Sequence, residues 1–197
     1  MKQLFFFLLL LALSACGYRF ERGFEGKTTI SVPYVQGDFE GKCTDALVRA
    51  ICQSGVFEYE RTCGRLSLEV AIQNDENERI GFRHDRSNTS NELRKNIIGV
   101  EGRRTLCAMV TLIDSATEEI VLGPYSVKAS VDFDYLNENS PQDTSFIDLE
   151  GVRETSIAFS LGQLDAKDSA ERDVLWPLYN KLAQKILDGL MAYDTND

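Results

Sequence analysis

Leu66, Leu68, Val70 and Ile72 alternate with Arg65, Ser67 and Glu69. A period of two puts the apolar set on one face of a strand and leaves the other face wet. A longer run has the same period: Tyr125, Val127, Ala129, Val131, Phe133 and Tyr135 are interleaved with Ser126, Lys128, Ser130, Asp132 and Asp134. Between them, Leu106–Ile113 is apolar almost throughout and predicts a central strand. The polar run 114–119 reads as a turn, which makes a hairpin of the strands on either side. Nearer the start, Ile30, Val32 and Tyr34 share one face of a strand that Pro33 confines to an edge or brings to an end. A period near 3.6 appears twice. Cys43, Ala46, Leu47, Ala50 and Ile51 form one helical stripe, with Gly55 placed as the residue that closes the helix. Leu175, Leu178, Leu182, Ile186 and Leu190 form the second, in a helix that either starts beside Pro177 or kinks there.

The weaker signals are shorter. Val56–Tyr59 returns extended, Ile157, Phe159 and Leu161 predict a short extra strand, and Asp168 with Glu171 has the spacing of a capping box. Residues 74–104 are polar with no core periodicity, and 136–152 form a polar loop around Pro141. The predicted order is β-α-β-β-β-α. Strands with one wet face need one covered face, and two helical stripes supply the cover. The expected fold is therefore an α+β two-layer sandwich, with both helices on one face of a four-stranded, mostly antiparallel sheet. One domain spans 29–192, a tether precedes it at 16–28, and 193–197 form a frayed tail. There are no internal repeats.

The chain opens with one lysine, Lys2, followed by the apolar run Leu4–Leu13 and the small residues Ser14 and Ala15. This is the order of a secretory signal, so residues 1–15 are expected to be removed. Ten apolar residues cover about 15 Å as a helix, half of a hydrocarbon core, which argues against a spanning segment. Leu13-Ser14-Ala15-Cys16 resembles the bacterial lipobox, in which the cysteine is acylated and becomes the mature N-terminus. Gly17, in place of aspartate, implies sorting to the outer membrane, with the domain anchored by lipid on the periplasmic side. Several acyl chains hold such a protein stably.

The net charge is −10, and loss of residues 1–15 takes away one lysine, leaving −11. That balance argues against nucleic acid as a partner. Cys43, Cys52, Cys63 and Cys107 remain after Cys16; a periplasmic site permits disulfides, and four cysteines allow three pairings or none. Cys43 and Cys52 on one helix are about 13 Å apart along it and cannot bond to each other. A single histidine, His84, removes Cys/His zinc spacing and leaves no serine–histidine pair of recognisable form, so neither catalysis nor a metal or cofactor is expected beyond the lipid on Cys16. Asp132 and Asp134, with Asp114, Glu118 and Glu119 near a turn, read as a solvated face. One cluster departs from the acidic background: Arg79, Arg83, Arg86, Arg94, Lys95, Arg103 and Arg104 face only Asp85, Glu92 and Glu101 between residues 79 and 104, a net of +4. Arginine forks match phosphate and carboxylate. Lipopolysaccharide, an acidic partner protein and a plain solvated loop are equally consistent with this segment.

Several stretches in order resemble the LptE-like lipopolysaccharide-assembly lipoproteins: Cys16-Gly17-Tyr18-Arg19-Phe20, Thr29–Tyr34, Leu47–Phe57, Val110–Asp114 and Leu182–Leu190. The resemblance implies two helices on a four-stranded sheet. It implies a non-catalytic role as plug and assembly partner of the LptD-type β-barrel translocon, in contact with lipopolysaccharide. The alternative is a structural periplasmic lipoprotein of another envelope assembly or secretion machine. Residues 74–104 and 136–164 are long for the family. The basic residues above are therefore assigned on charge and not on the resemblance.

Overall fold

The first alternation is cut short. Pro33 cannot donate to a ladder, and strand β1 covers only Thr29–Ser31 in the computed structural model, which describes residues 27–87, 92–136, 145–155 and 167–194. The signal segment, Cys16, the tail 195–197 and the strand expected at Ile157–Leu161 lie outside those residues. Ile30 and Val32 are buried as expected. Tyr34 is instead 60% exposed, because the chain turns after Pro33 and brings Val35 into the core. The backbone then rejoins the sheet at Gln36, which donates to Val70 O (3.0 Å) and accepts from Ile72 N–H (2.9 Å).

Helix α1, Lys42–Ser54, buries Cys43, Ala46, Leu47 and Ile51, and ends at Gly55 in the left-handed region (φ 66). Its N-cap position is Gly41, which has no side chain to offer. Asp38 takes that role from outside the helix: its Oδ2 accepts from Thr44 N–H (2.8 Å) and Thr44 Oγ1–H (2.9 Å). After α1 come β2 (Glu58–Tyr59), β3 (Leu66–Arg86), β4 (Leu93–Asp114) and β5 (Ile120–Asp134), in the spatial order β2-β1-β3-β4-β5. This corrects the four-stranded antiparallel expectation. The sheet has five strands and is mixed, since β1 runs parallel to both β2 and β3. A helix between β1 and β2 carries the chain back to the starting edge, so the next strand pairs in parallel. The short extended run at 58–59 is the fifth strand. A separate hairpin pairs β6 (Ser145–Ile147), inside the segment expected to be loop, with β7 (Arg153–Thr155) just after it.

The chain ends with α2 (Lys167–Asp173) and α3 (Leu175–Asp194). Pro177 lies in the first turn of α3 and has no N–H to give Asp173 O, so the break falls at Val174. Helix α3 thus starts two residues before the proline, and backbone bonds from Val174 to Ala170 O and from Leu178 to Val174 O span the break. Asp168 is the second residue of α2, not its cap, and Lys167 pairs with Glu171 at 3.0 Å. Helices α1 and α3 cover one face of the sheet. Leu178, Leu182, Ile186 and Leu190 meet Leu106, Ala108, Val110 and Leu112 of β4 and Leu68 and Val70 of β3 in a single core. Alternation on the central strand is strict: the even side chains are buried, while Cys107, Met109 and Thr111 face outward. Lys181 and Lys185, one turn apart, donate to the carbonyls of Ser130 (2.7 Å) and Lys128 (2.8 Å), covering the outer edge of β5. Leu182 is fully buried in this interface. Leu182→Ala is expected to cost about 2–5 kcal/mol, read as a lower urea midpoint with an unchanged slope.

Candidate functional site

Residues 74–86 and 93–104 are not a loop. They are the outward halves of β3 and β4, paired from Asn74↔Cys107 to Arg86↔Leu93. Beyond Ile72 the fourteen residues to Arg86 add about 45 Å of strand. A ribbon with water on both sides needs no apolar alternation, which is why no period was visible. Register shifts at Ile72/Asn74, Arg79/Gly81, Gly81/Phe82 and His84/Arg86 mark bulges along it.

The first bulge determines which residues anchor the root. It changes the parity of β3, so Asp75 lies opposite Leu106 on the helix-covered face. There Arg104 continues the even side of β4 just beyond the core. Its Nε and Nη2 grip Asp75 (2.8 and 2.6 Å), and its Nη1 donates to Glu171 O in α2 (2.6 Å). These bonds hold the guanidinium in its charged form, with the Asp75 hydrogen bond the largest cause. On the opposite face Arg103 forks onto Asp132, its directly paired residue in β5 (2.6 and 2.9 Å). The same bond lowers the Asp132 pKa below the ordinary carboxylate value. Further out, Phe133 packs over Gly102, where an added Cβ would lie 2.5 Å from the ring. Tyr135 covers Gly99 in the same way, and the two rings lie 6.1 Å apart.

Past Glu101↔Asp134, where β5 ends, the ribbon is two strands wide among the described residues. Asp85 is buried there: it accepts from Asn96 Nδ2 (2.9 Å) and pairs with Arg94 (3.6 Å). Arg79 and Lys95 are exposed, and Arg83 and Arg86 are half-buried. The seven basic residues therefore divide. Arg103 and Arg104 are tied into the framework of the ribbon, Arg94 belongs to the Asp85 network, and Arg79, Arg83, Arg86 and Lys95 remain toward the tip. Sequence reasoning missed the apolar residues among them, Phe82, Leu93 and Ile97, each 58–63% exposed. The pairing that puts Phe82, His84 and Arg86 on one face could have been read only with the hairpin register in hand.

Two depressions lie elsewhere. A groove of about 520 Å³ runs between α1 and α3, lined by Arg49, Gln53, Asn180 and Gln184 among others, and Arg49 stacks over Trp176 at 4.2 Å. A cleft of about 440 Å³ at the ribbon root is lined by Phe39, Gln73, Arg104 and Tyr179. Burial, then the charge of Asp38, pushes both the Tyr179 phenol and the Cys43 thiol up to about 12, so neither is an ionised nucleophile at neutral pH. Cys43, Cys52, Cys63 and Cys107 are all unbridged. Asp114 holds its turn by accepting from Ala116 and Thr117 N–H, which lowers its pKa. Among the described residues no group of three or more His, Cys, Asp or Glu could hold a metal, and no helix is long and apolar enough to cross a membrane.

Arg104→Ala should cost about 1–3 kcal/mol, because it strands a carboxylate and a helix-end carbonyl at once. Arg103→Ala should cost less, and its effect should shrink with added salt; paired denaturation curves at two ionic strengths check both. The depressed folded-state values of Asp132 and Asp114 contribute stability above their unfolded value of about 3.9, and this is lost as pH falls through the folded values. The thermal midpoint should therefore decline below about pH 4, and Asp132→Asn should flatten that decline.

No family model and no curated protein matches the chain. Solved structures with a similar backbone include rare lipoprotein B from Shewanella oneidensis (11% identity, 85% of this chain and 97% of that one, TM-score 0.44). Lipoprotein B from Nitrosomonas europaea is another (10%, 88% and 92%, TM-score 0.45), as is a minor lipoprotein from Acinetobacter baumannii (12%, 84% and 93%, TM-score 0.46).

Proposed function

We propose that the chain is a non-catalytic, lipid-anchored outer-membrane lipoprotein that takes part in lipopolysaccharide assembly as plug and partner of an LptD-type β-barrel. The observation that carries this reading is the separation of charge along the molecule. The domain is acidic, whereas the outer part of the ribbon that projects from it, residues 79–98, carries five cations and two acids. A barrel interior is polar, and a narrow ribbon with two wet faces can enter such a lumen without exposing a core. Arg79 and Lys95, exposed among the cations Arg83, Arg86 and Arg94, bring positive charge to lipopolysaccharide or to an acidic barrel wall. Arg103 and Arg104 hold the ribbon in shape for that contact. The lipobox at Cys16 supplies the membrane address, with the domain on the periplasmic side.

The test is a mild-detergent pull-down of the tagged chain from its native membranes, read by mass spectrometry. A large outer-membrane barrel at about equal stoichiometry is expected, together with acylation at Cys16 that Cys16→Ser abolishes. Recovery of components of another envelope machine, or of the chain alone, would remove the lipopolysaccharide-assembly role. Acylation persisting in Cys16→Ser would remove the anchor.

A further inference from the structure

At the ribbon root, the starts of α1 and α3 leave three aromatic side chains in water. Phe39 is 98% exposed, Tyr34 60% and Trp176 47%. Tyr34 lies over the start of α1, where a Cβ at Gly41 would meet its ring at 3.5 Å. Phe39 lines the root cleft together with Leu175 and Tyr179 of α3. Trp176 follows Leu175, and the Arg49 guanidinium of α1 stacks on its ring at 4.2 Å. The charges around these rings are matched to one another. Lys42 pairs with Glu40, and Arg49 pairs with Asp45 at 3.0 Å. Asp38 is buried and caps α1, while residues 174–180 carry no charge. The patch is therefore neutral at its surface, in a chain of net charge −10.

We infer that this patch is a membrane contact beside the anchor, where the three rings dock into the headgroup boundary of a phospholipid bilayer. Tyrosine and tryptophan rings, apolar with a polar edge, settle at that boundary, and the fully exposed Phe39 adds apolar area. Recognition of a charged partner would call for unmatched charge, whereas a headgroup layer asks only for the rings. For an acidic chain, a patch without net charge is also where approach to lipid costs least. The anchor permits the contact. Lys27 Nζ donates to Gly55 O at the far end of α1, so the tether leaves from there. Cys16 comes eleven residues before Lys27, a reach of at most about 40 Å. Helix α1 is about 20 Å long, so the lipid on Cys16 and the patch can meet one bilayer. The inference rests on the lipid-anchored reading, which brings the domain to a bilayer, and not on the barrel.

Trp176 is the chain's one tryptophan, and it reports on the patch directly. The full acylated chain is reconstituted in phosphatidylcholine vesicles whose acyl chains carry bromine. Emission is expected to be quenched, and blue-shifted relative to Cys16→Ser in buffer. It should change little when phosphatidylglycerol or salt is added, in contrast to a contact made by basic residues. Phe39→Ser should release the patch by about tenfold, through loss of the ring's apolar area. Both Phe39 and Tyr34 are exposed, so Phe39→Ser with Tyr34→Ser should keep the urea midpoint and give water-like emission. Trp176→Phe with Met109→Trp moves the indole to the outer face of the sheet, where it should stay unquenched. Equal quenching at the two positions would reduce the signal to the nearness of the anchor and overturn the inference. Water-like emission from Trp176, in vesicles that carry the chain, would also overturn it and leave the anchor standing. A blue shift that needs no lipid and grows with protein concentration would assign the patch to a second copy instead. A chain that fails to float with the vesicles would overturn both the inference and the anchor. The vesicles hold no barrel, so a failed assembly role leaves this readout unmoved.

Discussion

The strict alternation of β4 is the constraint on which everything else depends. Its even side reads Leu112, Val110, Ala108, Leu106, Arg104, Gly102 from the core outward. The first four are buried under α3. The fifth is the guanidinium that ties Asp75 to the end of α2, and the sixth makes room for the Phe133 ring. One face of one strand thus passes from core to polar clamp to aromatic cover. A slip of one residue would bury Cys107, Met109 and Thr111 and drive Arg103 toward α3, so register is fixed as firmly as the core itself. Because the core fills only one end of this strand, the other end projects as a ribbon.

That asymmetry decides how much of the molecule the sequence discloses. The stripes of α1 and α3 and the alternation of β5 were legible because each element buries one side against a core. The outer halves of β3 and β4 were not, since neither of their faces packs on the apolar core and hydrophobic alternation has nothing to report. A bulge after Ile72 also moves Asp75 onto the face of Val70, a change of parity that no pattern of apolar residues announces. The two-residue β2 falls below any periodic signal, and the parallel pairing of β1 follows from the path of α1 and not from the residues of β1. At the candidate site the cations were visible as a charge count. Which of them are structural was not, because Arg104 and Asp75 are 29 positions apart and meet only through the register.

The sorting of those cations bears on what the ribbon can do. An arginine already forked onto a carboxylate gains little from a second anion and would lose its first bond to take it. Arg103 and Arg104 therefore serve best as framework. Beyond the end of β5 the charge background changes sign, from an acidic domain to a basic tip, and a surface of either charge acts on the two ends in opposite senses. Screening limits this to short range, about 8 Å at physiological salt.

Exposed strand edges impose the last constraint, and the domain meets it differently at its two ends. Over the core, Lys181 and Lys185 occupy the outward carbonyls of β5, and a solvated ammonium there discourages a further strand. Along the ribbon beyond its root no described helix is near, and edge protection comes from bulges and from charged residues at successive positions. Both devices discourage pairing with another strand. The same projecting ribbon that the one-sided core leaves without a helix to cover it is thus kept from extending another sheet by its own bulges and charges.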